Sequence, residues 1–369
     1  HAVGRYKGKG HAWYYKPGDP PRDSVNASGG LAAGDWKMPE AYPVENGHLI
    51  SLNPDGTTKW NKRLKSDWHS DIRSVDINDK GQILLGGKYS GKTWFNVNDH
   101  GASGEKEDCK KACPWVSLLG ADGGYLWHER FNHCGYASKH NTGLWSAKFL
   151  DDNRIVVVGG YDNRPIWQCE TGGDPRWGGK QVGIDQGKRS PAVNTSDGSS
   201  SYMVFLSKPF GKIMYGREFG SGTQFSNATD VVQHPTTGDL YIVGVWENTK
   251  AKCTNDDKWY FAPTVPNPKF QDYAAKADVD TGRMPKQWQF TKPSGSSGIN
   301  NGVLNCNLHQ GFGGDRNGDT YLLHTDAIGN FKTIKPLPAY DTKDARPSIA
   351  INSDGSEIAI VNTTFLAEH

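Results

Sequence analysis

The sequence lacks the features that define several large classes of protein. Its 369 residues contain no apolar run near the roughly 20 residues that a membrane-spanning helix needs, and no stretch has a convincing helical period. Neither sign of charge is in large excess, because 42 basic and 40 acidic residues leave a net charge of +2. Such a balance gives no attraction toward nucleic acid or an anionic membrane. We therefore expect neither a membrane span nor nucleic-acid binding.

Chemical signatures are equally scarce. No Gly-x-Ser-x-Gly element marks a serine nucleophile, and no cysteine and histidine spacing matches a structural zinc site. No signal peptide precedes His1, so we expect either a mature, processed chain or one that never carried such a segment. Function therefore has to be inferred from residues of catalytic or binding type that are predicted to lie close together.

Glycine and short apolar runs are abundant, with 45 glycines and a hydrophobic fraction of 35%. In residues 202–246, two apolar strands meet at Gly211, a polar loop follows, and two more strands meet at a turn spanning 235–238. Four such strands form one antiparallel sheet with two apolar faces. Neighbouring sheets must cover these faces.

Two kinds of hairpin recur along the chain. The first places an aromatic residue soon after a glycine turn: Trp60, Trp127 and Tyr215 share one offset, and a looser copy spans 277–288. The second joins two apolar strands through a polar turn and recurs at 74–87, 146–160, 229–244, 311–324 and 348–362. The recurrence predicts an all-β protein built from similar sheets.

In this order of strands and turns the chain resembles β-propellers built from SBBP-type or quinoprotein-type repeats, over roughly residues 48–362. The shared features are turn chemistry rather than catalytic signatures, so the resemblance implies a fold and not an activity. It implies blades at about 72–131, 144–219, 228–290 and 308–336.

The chain ends are predicted to close the ring. Residues 48–64 and 346–362 each supply one hairpin, and pairing them would complete a blade and remove exposed sheet edges. We predict a single β-propeller of five blades, or six if the N-terminal arm supplies strands. Residues 1–47 would be a Gly- and Pro-rich arm, and residues 48–369 would be the propeller.

Long insertions at 89–114, 161–201, 246–271 and 291–308 fall on one face of this propeller. An elaborated face is where binding or chemistry normally lies. Side chains just before the strands that line the axis would converge there from different blades. We predict catalytic roles for His69, Tyr136, His140 and Arg346, and substrate-binding roles for Trp68, Arg73, Asn141, His309, Trp167 and Trp177.

These residue types suit a polysaccharide lyase, in which His or Tyr moves protons while a cation neutralises a uronate carboxylate. An imidazole near the guanidinium of Arg346 would have a lowered pKa and could act as a base near neutral pH. A glycoside hydrolase instead needs two carboxylates about 5 to 10 Å apart, and no motif singles out a pair among Asp71, Glu218, Asp230 and Asp341.

We therefore expect a protein that acts on or binds extracellular glycans, as a lyase rather than a hydrolase if it is an enzyme. The alternative is a non-catalytic lectin-like or structural protein of an extracellular assembly, with the N-terminal arm reaching a neighbouring copy. The sequence does not identify the glycan.

Cysteines and glycosylation sequons indicate an oxidising compartment, and we predict secretion. The four sequons are at Asn26, Asn194, Asn227 and Asn362. We predict three disulfides, each contributing roughly 2 to 4 kcal/mol: Cys109 with Cys113, Cys134 with Cys169, and Cys253 with Cys306.

One short segment alternates oxygen ligands like a calcium loop, at Asp315, Asn317 and Asp319. The segment lacks the downstream bidentate Glu of such loops. A structural calcium site and a plain β-turn both fit, and no other cofactor is implied.

Overall fold

The structure is a computed structural model that describes residues 2–6, 46–66, 69–95, 106–130, 142–162, 167–168, 182–183, 199–209, 211, 213–221, 226–247, 259–261, 265–266, 318–337 and 346–362. Every regular element in this part of the chain is a β-strand, which confirms the predicted all-β class. No helix within these ranges is long and apolar enough to cross a membrane.

The larger part of the fold consists of three units of four principal strands, sheets I, II and III, and the four strands of each unit are called A, B, C and D in chain order. A smaller N-terminal group of strands joins sheet I at one point, where Lys65 and Ser66 pair with Trp94 and Thr93. The N-terminal sheet consists of β1 (Ala2–Tyr6), β2 (Asn46–Leu52) and β3 (Thr58–Ser66). Sheet I consists of β4 (His69–Ile77), β5 (Ile83–Trp94), β6 (Lys106–Leu119) and β7 (Tyr125–Arg130).

Sheet II begins with β8 (Thr142–Phe149) and β9 (Arg154–Asp162), and after a short hairpin of β10 (Trp167–Gln168) and β11 (Val182–Gly183) it continues with β12 (Ser199–Ser207) and β13 (Ile213–Ser221). Sheet III begins with β14 (Ser226–Gln233) and β15 (Leu240–Glu247). Two short strands, β16 (Trp259–Phe261) and β17 (Val265–Pro266), then pair with β13. Sheet III is completed by β18 (Gly318–Thr325) and β19 (Phe331–Leu337), and a last hairpin joins β20 (Ser348–Ile351) and β21 (Ile358–Val361).

A glycine in each B strand lies opposite a large aromatic residue in the C strand. The pairs are Gly87 with Trp115, Gly159 with Tyr202, and Gly244 with Tyr321. All three aromatic side chains, including Trp115, are buried in the core. A Cβ on Gly159 would lie 2.0 Å from the carbonyl oxygen of Gly143 and 2.5 Å from the Tyr202 hydroxyl. The position therefore requires a residue without a side chain, because backbone and ring approach too closely for anything larger.

The aromatic residues after the glycine turns link each sheet to the next. Trp60, Trp127 and Tyr215 occupy the same register position of their hairpins, which confirms their predicted common offset. A Cβ on Gly123 of sheet I would meet the Trp60 ring, and one on Gly211 of sheet II would meet the Trp127 ring. The indole N–H of Trp127 also donates to the carbonyl of Lys208 at 2.8 Å.

Each pair of adjacent sheets encloses a buried apolar cluster, and strand β9 shows how one strand serves two of them. Val156 and Val158 pack into the cluster shared with sheet III, whereas Ile155 and Val157 pack into the cluster shared with sheet I. This alternation follows from the period of two along a strand. A third cluster joins sheet I to the N-terminal sheet. Burial of each such side chain contributes roughly 1.5 to 3 kcal/mol.

The predicted blade at 308–336 is wrong as a separate unit. Strand β18 pairs with β15 along eight residue pairs, so β18 and β19 are the C and D strands of sheet III. The apolar run before Thr325 is a C strand and not the second strand of a hairpin at 311–324. The insertions predicted at 246–271 and 291–308 accordingly belong to one connection between β15 and β18. The looser hairpin at 277–288 lies outside the described residues.

The predicted pairing of the two chain ends also differs from the structure. Strand β2 pairs with β3 on one edge and with β1 on the other. Among the described residues, β20 and β21 pair with each other alone. The sequence analysis missed β1, because five residues with a central glycine show no clear alternation. The boundary at residue 47 otherwise stays a prediction.

We expect Gly159→Ala to lower the free energy of unfolding by at least about 2 kcal/mol, because the new methyl group would collide with backbone. The matched control is Gly56→Ala in a turn with φ of 82°, where a Cβ would meet nothing within 4 Å. That change should cost about 1 kcal/mol from backbone strain alone. Urea denaturation of both variants measures the difference, and an equal or larger loss for Gly56→Ala would contradict the packing argument.

Candidate functional site

The A strands of the three sheets carry a β-bulge at the same position. Their registers shift after Ile72, Leu144 and Ala228, which leaves Arg73, Trp145 and Thr229 as the extra residues. A bulge redirects the side chain that it carries. All three extra residues line one open cavity of about 700 Å³, together with residues at the start of β20.

The A strands position this cavity because they are neighbours in space. Strand β4 contacts β8, β8 contacts β14, and β14 contacts β20. The cavity lies at the middle of β4, β8 and β14, around their bulges, and at the start of β20. It therefore draws on residues from four parts of the chain that are distant in sequence.

Basic side chains outnumber acidic ones in the cavity lining. Arg73, Lys88, Lys148 and Arg346 supply four cationic groups, against the two carboxylates of Asp71 and Asp230. Both carboxylates accept hydrogen bonds from protein donors, as shown below. Lys148 Nζ is also paired with Asp76 Oδ1 at 3.6 Å, and with that carboxylate counted the cavity still presents a small net positive charge to whatever enters it.

Trp145 holds two guanidinium groups close to its indole ring. The Cζ atom of Arg73 lies 3.8 Å from the ring centroid, and that of Arg346 lies 4.3 Å from it. Each contact is attractive, because the negative face of the ring faces a cation. Trp145 thereby holds two like charges in one place.

Asp71 is buried beneath this stack and is firmly ionised. Arg73 Nε donates to its Oδ2 at 3.0 Å, the Lys88 backbone N–H donates to its Oδ1 at 3.0 Å, and His69 Nε2 lies 3.7 Å from Oδ2. Burial alone would raise the pKa of Asp71. The neighbouring imidazole of His69 and the charge of Arg73 overcome that effect and lower the pKa to about 2. Asp71 is thus unsuited to act as a general acid in glycoside hydrolysis.

Asp230 joins three A strands through hydrogen bonds. It accepts from Ser146 Oγ of β8 at 2.7 Å, from Ser348 Oγ of β20 at 2.6 Å, and from the Ile349 backbone N–H at 3.1 Å. Thr229 Oγ1 donates in addition to the Pro347 carbonyl at 2.6 Å. The start of β20, and with it Arg346, is fixed against sheet III by these bonds.

A similar connection joins β4 to β8. Ser74 Oγ donates to the Ala147 carbonyl at 3.1 Å and accepts from the Ala147 N–H at 2.9 Å. Asp76 Oδ2 accepts from the Phe149 N–H at 2.8 Å. The walls of the cavity are therefore held by polar contacts between neighbouring A strands.

Three of the predicted site residues come together at this cavity. Arg73 and Arg346 line it, and His69 lies beside Asp71 at its edge. The sequence argument placed an imidazole beside a guanidinium, whereas His69 has a carboxylate as an immediate neighbour. Six other predicted residues lie outside the described part of the chain: Trp68, Tyr136, His140, Asn141, Trp177 and His309. Trp167 lies in β10, and its side chain is not described.

Sequence reasoning missed Trp145, Lys88 and Lys148. One signal could have found Trp145. In each A strand the bulged residue is followed by Ser or Asp, as in Arg73-Ser74, Trp145-Ser146 and Thr229-Asp230. Aligning these dipeptides places Trp145 at the position of Arg73. Lys88 and Lys148 carry no comparable signal, because lysine is common at exposed strand positions.

The register of sheet I bears on the predicted disulfide between Cys109 and Cys113. Tyr89 pairs with Cys113 and Gly91 pairs with Cys109, so four steps along β6 oppose two steps along β5. This bulge brings the two Cα atoms to roughly 7 Å, near the upper end of the range for disulfides. Cys113 is disulfide-bonded, and its partner lies outside the described side chains. The pairing stays a prediction that the register permits.

The other predicted modification and metal sites are largely outside the described residues. These are Cys134, Cys169, Cys253, Cys306, Asn26, Asn194, Asp315 and Asn317, and the side chain of Asp319 is not described. No group of three or more His, Cys, Asp or Glu residues in the described part could hold a metal ion. The calcium site therefore stays a prediction.

Two sequons can be placed. Asn227 lies within β14, with its side-chain oxygen buried near Gly160, and Asn362 Nδ2 donates to Thr320 Oγ1 at 2.6 Å. The buried oxygen of Asn227 and the hydrogen bond of Asn362 both make these two asparagines poor positions for a glycan. Their glycosylation stays a prediction.

Comparison with known proteins adds no assignment. No protein-family model matches the chain, and no curated protein is significantly similar to it in sequence. The function has to be argued from the cavity itself.

We expect Asp71 to contribute a pH-dependent part of the stability. Its folded pKa of about 2 lies below the unfolded value of 3.8, so the contribution is present above pH 4 and is lost as pH falls toward 2. The difference corresponds to roughly 2 kcal/mol. Urea denaturation of wild type and of Asp71→Asn between pH 6 and pH 2.5 should show that the variant lacks this loss.

The control for this experiment is Asp79→Asn, which changes an exposed turn residue. It should keep the pH dependence of the wild type. An unchanged pH profile in Asp71→Asn would show that the carboxylate is not held by its neighbours as described.

Proposed function

We propose that the chain is a single secreted β-propeller whose cavity binds an acidic extracellular glycan. The contacts between successive A strands and the apolar clusters between successive sheets support the propeller arrangement. Sheets I, II and III would be complete blades, and the terminal strands would supply the remainder. Sheet III replaces two of the blades predicted from sequence. The propeller would therefore have four blades if the N- and C-terminal strands form one blade together, and five if they form two.

The observation that carries the proposal is the pair of guanidinium groups held on Trp145 inside a net positive cavity. Guanidinium N–H groups match the geometry of carboxylate and sulfate oxygens. Arg346 is exposed, and among the described residues it forms no ion pair. A ligand anion can therefore reach it without breaking an internal salt bridge.

The same contacts argue for an acidic rather than a neutral sugar. Neutral sugars commonly stack on the open face of an aromatic ring. Trp145 already carries two guanidinium groups over its ring, so the ring is less open to a sugar. Recognition would instead use charge-assisted hydrogen bonds from the arginines. A cavity of about 700 Å³ lies in the range that encloses small ligands, which suits one or two sugar units of a longer chain.

Secretion is supported by the disulfide at Cys113, because such bonds persist in oxidising compartments. An acidic polysaccharide is therefore the partner that fits both the compartment and the cavity. Nucleic acid is a weaker fit, since the chain as a whole has almost no net charge.

A matched pair of ligands tests the proposal. Polygalacturonate should bind, and its fully methyl-esterified form should bind at least tenfold more weakly, because esterification removes the charge and keeps the sugar backbone. Arg346→Ala should weaken polygalacturonate binding by about tenfold, which corresponds to roughly 1.4 kcal/mol. Isothermal titration calorimetry at two salt concentrations measures both effects.

Lys335→Ala is the control, because it removes an exposed cation of β19 that does not line the cavity. It should leave affinity unchanged. Equal binding of the charged and esterified polymers, or equal effects of the two substitutions, would rule out recognition of the carboxylate at this cavity.

Lyase chemistry is the narrower form of the proposal, and the position of His69 favours it. A carboxylate beside a histidine can orient the imidazole, and Asp71 lies 3.7 Å from His69 Nε2. If the protein is a lyase, His69 would accept the proton beside the uronate carboxylate, and Arg346 would neutralise that carboxylate.

The ultraviolet absorbance of unsaturated uronate product distinguishes the two forms. A lyase should generate this signal from polygalacturonate, and His69→Ala should abolish turnover while leaving binding nearly intact. Binding by the wild type without product would identify a lectin-like protein. Loss of binding in His69→Ala would show that the residue supports the site rather than the proton transfer.

A further inference from the structure

The N-terminal strand β1 occupies the register of a B strand. Gly4 pairs with His48, and His48 stands three residues before Ser51, the partner of Trp60. Sheets I to III show the same spacing. In each, the C-strand aromatic residue that pairs with the B-strand glycine lies three residues before the last C–D pair ahead of the register shift, which is the place that Ser51 and Trp60 occupy here. The N-terminal sheet is therefore a B–C–D unit, and none of its three described strands is in the A position.

The last hairpin has the complementary composition. Ser348 pairs with Val361, just as Ser146 pairs with Val158 in the A–B hairpin of sheet II. Strand β20 also contacts the A strand β14. Strands β20 and β21 are therefore an A–B unit to which, in the described part of the chain, no C strand is added.

Two B strands thus compete for one C strand. The edge of β2 that β1 covers has the register to receive β21, and Val361 at the end of β21 is 71% exposed. The B-strand glycine position falls on Gly4 in β1 and on Asn362 beyond β21. A full set of A, B, C and D strands would be reached by replacing β1 with β21.

We propose that β1 and β21 are alternative partners for the same edge of β2, and that replacement of β1 by β21 closes the ring. The closed form would contain a fourth complete sheet in the order β20, β21, β2, β3. Strand β1 pairs with β2 through only five residues, which limits the pairing that must be broken, and its contact with β4 would be lost as well. Exchange would also cover the exposed edge of β21, and open edges of this kind promote association between chains. The exchange does not depend on what the cavity binds.

Cysteine trapping distinguishes the two pairings, because one residue of β2 faces a different partner in each. In the structure Ile50 pairs with Ala2. In the proposed closed form the B–C register of sheets I to III places Ile50 opposite Ile360. Ala2→Cys with Ile50→Cys therefore traps the pairing with β1, and Ile360→Cys with Ile50→Cys traps the pairing with β21. Peptide mapping of the oxidised proteins identifies each crosslink beside the native cysteines.

Displacing β1 should shift the outcome. Gly4→Pro removes a backbone donor and should weaken the pairing of β1 with β2. In that background the crosslink between positions 50 and 360 should become the main product, within a single chain. Ile360→Cys with Ser51→Cys is the control, since a one-residue slip points the two side chains to opposite faces.

The same pair in the otherwise unchanged chain provides a second readout if Gly4→Pro folds poorly. The crosslink should accumulate slowly there, as β1 opens and closes. No crosslink in either background would overturn the exchange. A crosslink found only between two chains would also overturn it, and would show that the edge of β21 receives a second copy.

Discussion

The carboxylate of Asp230 connects the strands on which the cavity depends. It binds a serine hydroxyl from β8 and a hydroxyl and an N–H from β20, so one residue of sheet III fixes the strand before it and the strand after it. Hydrogen bonds to an ionised acceptor are stronger than neutral ones, and each typically contributes about 1.5 to 3 kcal/mol. Together with the bond from Thr229 to the Pro347 carbonyl and the contact of Arg346 with Trp145, this junction fixes Arg346 relative to Arg73.

The electrostatic character of the cavity follows from the same arrangement. Asp71 and Asp230 both accept hydrogen bonds from donors within the protein, and these bonds stabilise the strands around the cavity. Two of the cations, Arg73 and Arg346, are held over the ring of Trp145, and Arg73 is also paired with Asp71. The local excess of positive charge at the cavity therefore arises from the fold and not from the net charge of the chain, which is close to zero.

Sequence patterns revealed the local parts of this structure better than its long-range pairings. Turn glycines and the aromatic residues after them are local, so the offset shared by Trp60 and Trp127 could be read directly. Arg346 could be predicted because it directly precedes the apolar strand β20, and Arg73 because it directly precedes the hairpin predicted at 74–87, although in the structure it is the bulged residue within β4. The pairing of β18 with β15 was not accessible, because an apolar strand does not specify its partner across a long connection. The role of Trp145 depends on a bulge of one residue, and that bulge leaves no mark in composition.

The long connection in sheet III affects the order in which the molecule can assemble. Between Glu247 and Gly318 the chain runs through 70 residues before its C strand meets its B strand, whereas 11 residues separate Trp94 from Lys106 in sheet I. Closing the longer loop costs on the order of 1.5 kcal/mol more chain entropy. Because the C strand of sheet III carries the ring of Tyr321 that covers Gly244, this sheet cannot reach native packing until that loop has closed. Sheet I has the shorter path and could act as an early folding template, and the slow event in folding would be the late capture of a distant strand by a preformed edge.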